Sequence, residues 1–271
     1  MTSHLATPVP ARTTAPAPAV AVSLGDDRAP RTASVLAPVM AQWDRGAFLE
    51  PVVGALTSTG HRVTVYDTLS LLRDGDDLAA LAGRWAEILR AEEPDLLVGN
   101  ALGGAVVQHL LAHPWTRRAD VVLLSSPTVA DDLLDATLER IAATVATHGT
   151  AAALRLLHDV VRGPAGAGPA SGDLHHLVDD PLSGWRLATG LRLLRHADAR
   201  HRVEAFPGRL LHVYGTQSNL VRRHHLAAGP GHECVGVPQA GMRPHADQPE
   251  ATRRAVAAFL EPPLTKRTHD K

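Results

Sequence analysis

The 271-residue chain is 45% hydrophobic and 20% charged, which suits one large folded domain with a sizeable core. A formal net charge of -1 provides no basic field for nucleic acid or an anionic membrane surface. The single cysteine, Cys234, excludes a disulfide within the chain and points to a reducing cytoplasm.

No apolar run approaches the roughly 18 residues of a spanning helix, and the N-terminus lacks the charged-then-apolar order of a signal peptide. Residues 1–18 are rich in Ala, Pro and Thr without periodicity and are expected to form a disordered tail. Residues 19–24 read as an edge strand and 33–39 as a stronger strand. A helix over 46–58 carries Phe48, Val52, Val53 and Leu56 on one face, and 62–66 is the next strand, with Asp67 at its end. Asp77 can cap a helix in which Leu78, Leu81, Trp85, Ile88 and Leu89 share a face.

The rest of the chain is organised around residues 95–108, DLLVGNALGGAVVQ. Leu96, Leu97 and Val98 form the short apolar run of a central parallel strand. Gly99, Gly103 and Gly104 remove side chains where a sharp strand-to-helix turn needs room. Leu102, Val106, Val107, Leu110 and Leu111 then recur at helical spacing. Residues 120–126 give another strand, and alternation of strand and helix with short links implies a parallel sheet with right-handed crossovers.

From 128 to 204 the pattern is helical only: Leu133, Leu134, Leu138, Ile141 and Val145, then Leu154, Leu157 and Val161, then Leu187, Leu191 and Leu194. Gly and Pro interrupt these helices over 163–172. Strands return at 209–214 and 234–237, and a closing helix over 246–260 turns Ala251, Val256, Phe259 and Leu260 inward, with Pro249 in its first turn.

The 95–108 stretch resembles the strand–turn–helix nucleophile elbow of the α/β-hydrolase superfamily. The resemblance covers 33–260, and a second specific segment is 241–250, GMRPHADQPE. It implies an α/β-hydrolase fold: a mostly parallel sheet flanked by helices, with a helical cap inserted after the sixth core strand. The core would comprise 19–127 and 206–262, the cap 128–205, and a C-terminal tail 263–271.

In that superfamily the elbow presents a serine, a carboxylate follows a later strand, and a histidine follows the C-terminal glycine. The matching positions in this chain are Ala101, Ser218 and Met242, so the resemblance implies a degenerate triad. The His-Gly pair of the oxyanion loop is replaced by Pro38-Val39-Met40. Losing triad members costs on the order of 10⁴ to 10⁶ in rate in serine proteases, so acyl-enzyme hydrolysis is not expected. Ser125 or Ser126 could serve as a relocated nucleophile, although serines at a strand end commonly cap the next turn.

The expected catalytic groups are Asn100, the backbone N–H of Leu102, and His245, or a histidine of the helical cap, as a proton carrier. Met40, Gln42, Trp43, Ser125, Trp185, Gln217 and Arg243 are expected to bind substrate, the two tryptophans by stacking on a flat ligand. His175, His176, Asp179 and Asp180 suggest a metal only superficially: with 16 histidines, chance pairs are common and no third ligand is evident. They are read as a solvated polar face, as are His224 and His225. No metal and no cofactor is expected.

The favoured function is a cofactor-independent cyclase or isomerase. It would make a carbon–carbon bond, by Michael or aldol-type addition, in an apolar or polycyclic polyketide-like intermediate, as non-hydrolytic members of the superfamily in natural-product pathways do. The alternatives are a small-ligand binding protein without catalysis, or a hydrolase with relocated groups. The partner is a small molecule, not nucleic acid or membrane, and a homodimer is allowed.

Overall fold

A computed structural model describes residues 18–162 and 180–261. Seven strands form one sheet: β1 (Ala21–Leu24), β2 (Arg31–Leu36), β3 (His61–Tyr66), β4 (Leu96–Asn100), β5 (Asp120–Leu124), β6 (Leu210–Gly215) and β7 (Glu233–Val237). Their spatial order is β1-β3-β2-β4-β5-β6-β7, with β1 antiparallel to β3 and every other pairing parallel. β4 and β5 lie centrally and are buried along almost their whole length, as a parallel strand covered on both faces must be.

Helices cover both faces. α1 (Glu50–Ser58) and α9 (Pro249–Leu260) pack together on one, where Val52, Leu56, Val256 and Phe259 meet Val35, Val63 and Val98 of the sheet. α2 (Leu78–Glu92) and α3 (Leu102–Leu110) pack together on the other, where Trp85, Leu89, Val106 and Leu110 meet Leu36, Leu97 and Leu123. Asp77 caps α2, its carboxylate accepting the Ala80 N–H at 2.7 Å.

Between β5 and β6 stand α4 (Asp132–His148), α5 (Thr150–Val161), α6 (Pro181–Arg192) and the short α7 (Arg200–Glu204). This helical block follows the fifth of the described strands, not a sixth as expected. Among the described residues four strands, β1 to β4, precede the helix of the elbow, and β5 follows it.

Two elements have other boundaries than expected, and one residue another burial. β2 begins earlier and ends at Leu36, short of Pro38, which has no N–H to donate to a ladder. The closing helix is divided into α8 (Pro244–Asp247) and α9, because Gln248 leaves the helical region ahead of Pro249. Leu133, expected on the inner face of α4, is 62% exposed. The expected tails, the Gly–Pro interruption and the His175–Asp179 cluster lie outside the described residues. No described helix is long and apolar enough to cross a membrane.

Candidate active site

The sheet delivers the elbow to the end of β4. Ala101 holds φ 47° and ψ -109°, between the strand and the first turn of α3. The turn is compact enough that side chains on its glycines have no space. A Cβ on Gly99 would lie 2.4 Å from the Gly104 Cα, and one on Gly103 would lie 2.1 Å from the Leu36 carbonyl oxygen. The glycine pattern of the sequence therefore rests on close backbone approach. Ser126 locks the neighbouring strand end, its hydroxyl donating to the carbonyls of Gly99 and Leu124 at 3.2 and 3.1 Å.

A cavity of about 270 Å³ opens over the elbow. Asn100 and Ala101 form part of its floor, and residues 38–42 with Phe48 form one side. The helical block forms the other through Leu138, Leu154, Leu157, His158, Val161, Leu191 and Leu194. Leu220, Met242 and Arg243 complete it. Among the described lining residues, Gln42, Asn100, His158 and Arg243 have polar side chains and the rest are apolar.

The cavity thus brings together Asn100, Ala101, Met40, Gln42, Met242 and Arg243 from the sequence expectations. Asn100 is buried and its amide donates to the Leu124 carbonyl at 2.9 Å, so one of its two protons is already engaged by the sheet. Leu102 is fully buried as the first residue of α3, where the backbone N–H has no acceptor within the helix. Ser218 lies beside Met242, its hydroxyl 3.8 Å from the thioether sulfur. The positions matched to acid and histidine are therefore neighbours, although Ser218 lines a shallower groove with Thr216 and Gln217.

Other expected residues are placed elsewhere. His245 is buried behind Phe48, the two rings edge to face at 4.9 Å. Burial, then the Arg243 charge, lower its pKa to about 4, so it sits as a neutral core imidazole. Trp43 packs against the core under α1 and α9. Trp185 packs at the edge of the opposite core, with its indole N–H 3.3 Å from Asp74. Ser125 is buried with φ 44° and no partner for its hydroxyl, and it does not line the cavity.

His158 is the group that the sequence did not single out. It sits four residues after Leu154 and three before Val161, so it shares the face of α5 that those residues turn to the cavity. A histidine interrupting that apolar stripe was the available signal. Burial, then Arg243 and Arg162, lower its pKa, which keeps the imidazole neutral at pH 7.

The helical block is tied to the loop beside the elbow. Arg186 on α6 donates from Nε to the Met40 carbonyl at 3.2 Å, and from one terminal nitrogen to both Asp67 oxygens at 2.7 and 2.9 Å.

His224 and His225 are not the solvated face expected of them. His225 is buried, and the Nε2 atoms of His224 and His225 lie 3.0 and 3.1 Å from one oxygen of Asp131, which caps α4. The trio has the residue types of a metal site. However, Nδ1 of His225 accepts the Arg222 N–H at 3.0 Å, so its neutral ring carries the proton on Nε2, where a metal would have to bind. The arrangement is that of hydrogen-bonded side chains around a helix cap.

The sheet order, the elbow and the flanking helices define an α/β-hydrolase fold. Solved structures share it over nearly the whole chain. A hydrolase from Pseudomonas aeruginosa is 22% identical with a TM-score of 0.73, covering 89% of this chain and 94% of its own. An α/β hydrolase enzyme from a Medee basin deep-sea metagenome library is 14% identical with a TM-score of 0.75, covering 92% and 96%. A bromoperoxidase from Bacillus anthracis is 20% identical with a TM-score of 0.66, covering 89% and 95%. No family model matches the chain, and no curated protein matches it.

These neighbours overturn the cyclase expectation: they are hydrolases and a bromoperoxidase, and carboxylesterases share the fold as well. Of the two proton carriers expected, His245 lies behind Phe48, and a histidine of the helical block, His158, lines the cavity.

Proposed function

We propose that the protein is a hydrolase-type protein with relocated catalytic groups, acting on a small, mainly apolar carbonyl compound. The helical block caps the cavity over the elbow. The carbonyl oxygen of an ester is held by the Leu102 N–H, and water attacks in place of a seryl oxygen with His158 accepting its proton; the acyl–oxygen bond then breaks, the alkoxide leaves with the proton returned by His158, and acid and alcohol are released. The observation that carries this reading is His158, a neutral imidazole in the wall of the cavity whose floor is Ala101. The hydrolase and esterase neighbours support it.

The rate it implies is modest. Oxyanion donors and binding alone leave about 10³ to 10⁴ over water when a triad is absent, and a general base adds about 10² to 10⁴. The test is hydrolysis of 4-nitrophenyl octanoate. His158→Gln is expected to lower kcat by at least about 100-fold with little change in KM. Ala101→Ser is expected to leave activity where it was, since Ser218 and Met242 provide neither acid nor base. Strong activation by that single change would refute the relocation.

A second reading, ligand binding without turnover, is favoured by Ala101 itself, which removes covalent catalysis. It would be chosen if saturable binding of the ester accompanies no hydrolysis above the His158→Gln background.

A further inference from the structure

We propose that the groove at the C-terminal end of β6 binds a small phosphomonoester, with the phosphoryl group held by Arg222 and Arg223. This site is separate from the cavity over Ala101 and does not depend on the reaction proposed there. The groove has a volume of about 560 Å³ and is lined by residues 214–219 and 222–224. Arg222 donates from Nε to the Ser218 carbonyl at 3.3 Å, and Arg223 donates from one terminal nitrogen to the Leu226 carbonyl at 3.1 Å. Both acceptors are neutral. Among the described residues neither arginine forms an ion pair, and both terminal nitrogens of Arg222 and one of Arg223 have no acceptor.

No carboxylate is among the described residues that line the groove. Asp131 lies in an adjoining recess that also reaches Arg222 and His224. Its carboxylate is taken up by the Leu134 N–H and by the Nε2 atoms of His224 and His225. The two guanidinium charges are felt as such by their neighbours: Arg222 opposes protonation of His225, and Arg223 that of His212.

A guanidinium presents its donors in a planar fork that matches phosphate oxygens two at a time. Two adjacent forks match a group that is close to dianionic at pH 7.5 and has three terminal oxygens. The groove is shallow, so a strongly hydrated dianion keeps part of its water there. In the leucine-lined cavity it would lose that water without a matching gain. Thr216, Gln217 and Asn219 bring a hydroxyl and two amides to the rest of the groove, which suits a hydroxylated body and not a hydrocarbon one.

Isothermal titration of the full chain at pH 7.5, in about 20 mM NaCl to limit screening, compares ribose 5-phosphate, inorganic phosphate and ribose. Ribose 5-phosphate is expected to bind with a Kd of about 1 mM or tighter, at least about tenfold more tightly than ribose, with inorganic phosphate between the two. Arg222→Gln and Arg223→Gln are each expected to weaken ribose 5-phosphate about tenfold, and Arg222→Lys, with the charge but not the fork, by less. Thermal unfolding without ligand shows that each variant is folded, and the comparison of the three ligands on the unaltered chain needs no variant.

Equal binding of ribose and ribose 5-phosphate, binding of neither, or unchanged affinity in both glutamine variants overturns the proposal. Inorganic phosphate binding as tightly as ribose 5-phosphate overturns the ester and leaves a site for free phosphate.

Discussion

At the scale of single residues, Ala101 is an uncommon choice for its own backbone. A side chain at φ 47° and ψ -109° strains the chain by about 1–3 kcal/mol, a conformation glycine adopts at no steric cost. Glycine loses about 0.5–1 kcal/mol more conformational entropy on folding. Ala101→Gly is therefore expected to be neutral or to stabilise by about 1 kcal/mol in urea unfolding; a clear loss of stability would show that the elbow is not strained. Gly103→Ala goes the other way. Its Cβ would sit 2.1 Å from the Leu36 carbonyl oxygen, a backbone atom that cannot step aside, so a loss of about 3 kcal/mol or more is expected in the same measurement. The glycines were legible from sequence because a turn of this kind admits few alternatives. His158 and His245 were not. Proximity in sequence to the C-terminal motif favoured His245, while burial behind Phe48 and the rotation of α5 decided the matter in three dimensions.

At the scale of elements, what could be read was periodicity, and what could not was which element meets which. The apolar face of α2, the α3 stripe and the β4 run came directly from spacing. The pairing of α6 with the loop beside the elbow did not, since Arg186 and Asp67 are 119 residues apart and nothing local in either stretch announces the other. The same limit explains the tryptophans: loop position suggested a pocket, and packing placed both in the core margins. The Arg186–Asp67 pair has side-chain exposures of only 12% and 5%. Arg186→Met would leave the Asp67 carboxylate buried without its cation and free the Met40 carbonyl. Removal of one partner of a buried pair costs about 3–5 kcal/mol, and a loss in that range is expected on thermal unfolding. Asp67→Asn combined with Arg186→Met should recover part of it, because the stranded charge is then gone. A double variant as unstable as the single would mean that the Met40 contact, not the ion pair, carries the energy.

For the whole molecule, the mostly parallel sheet follows from strand and helix alternation, but its strand order and the number of imidazoles sealed inside the fold do not follow from pattern or composition. Burial lowers the pKa of His212 in β6 to about 3, with His232 and Arg223 adding to the shift, and that of His245 to about 4. Both start from 6.5 in the unfolded chain. Above pH 6.5 the two states bind the same protons at these sites and stability is flat. Below it the unfolded chain takes up protons that the folded chain refuses, so stability falls as pH falls. Two such groups give a slope of about 2.7 kcal/mol per pH unit between about pH 6 and 4. Lowered pKa values at His61, His109 and His225, each led by burial, act in the same direction. Asp131, held near 2 first by the Leu134 N–H, loses its contribution only below this window, whereas burial raises the pKa of Asp120, which opposes the trend above pH 3.8, at the acid end of the window. Against a typical stability of about 5–15 kcal/mol, the histidine slope is enough to unfold the protein near pH 4. Urea unfolding at half-unit steps from pH 7.5 to 4.5 is expected to show a plateau and then this decline. The His245→Leu variant, leucine suiting a pocket already lined by Phe48, should reduce the slope by about 1.4 kcal/mol per unit. An unchanged slope in that variant would mean that His245 is protonated in the folded state, and with it that the site behind Phe48 is open to water.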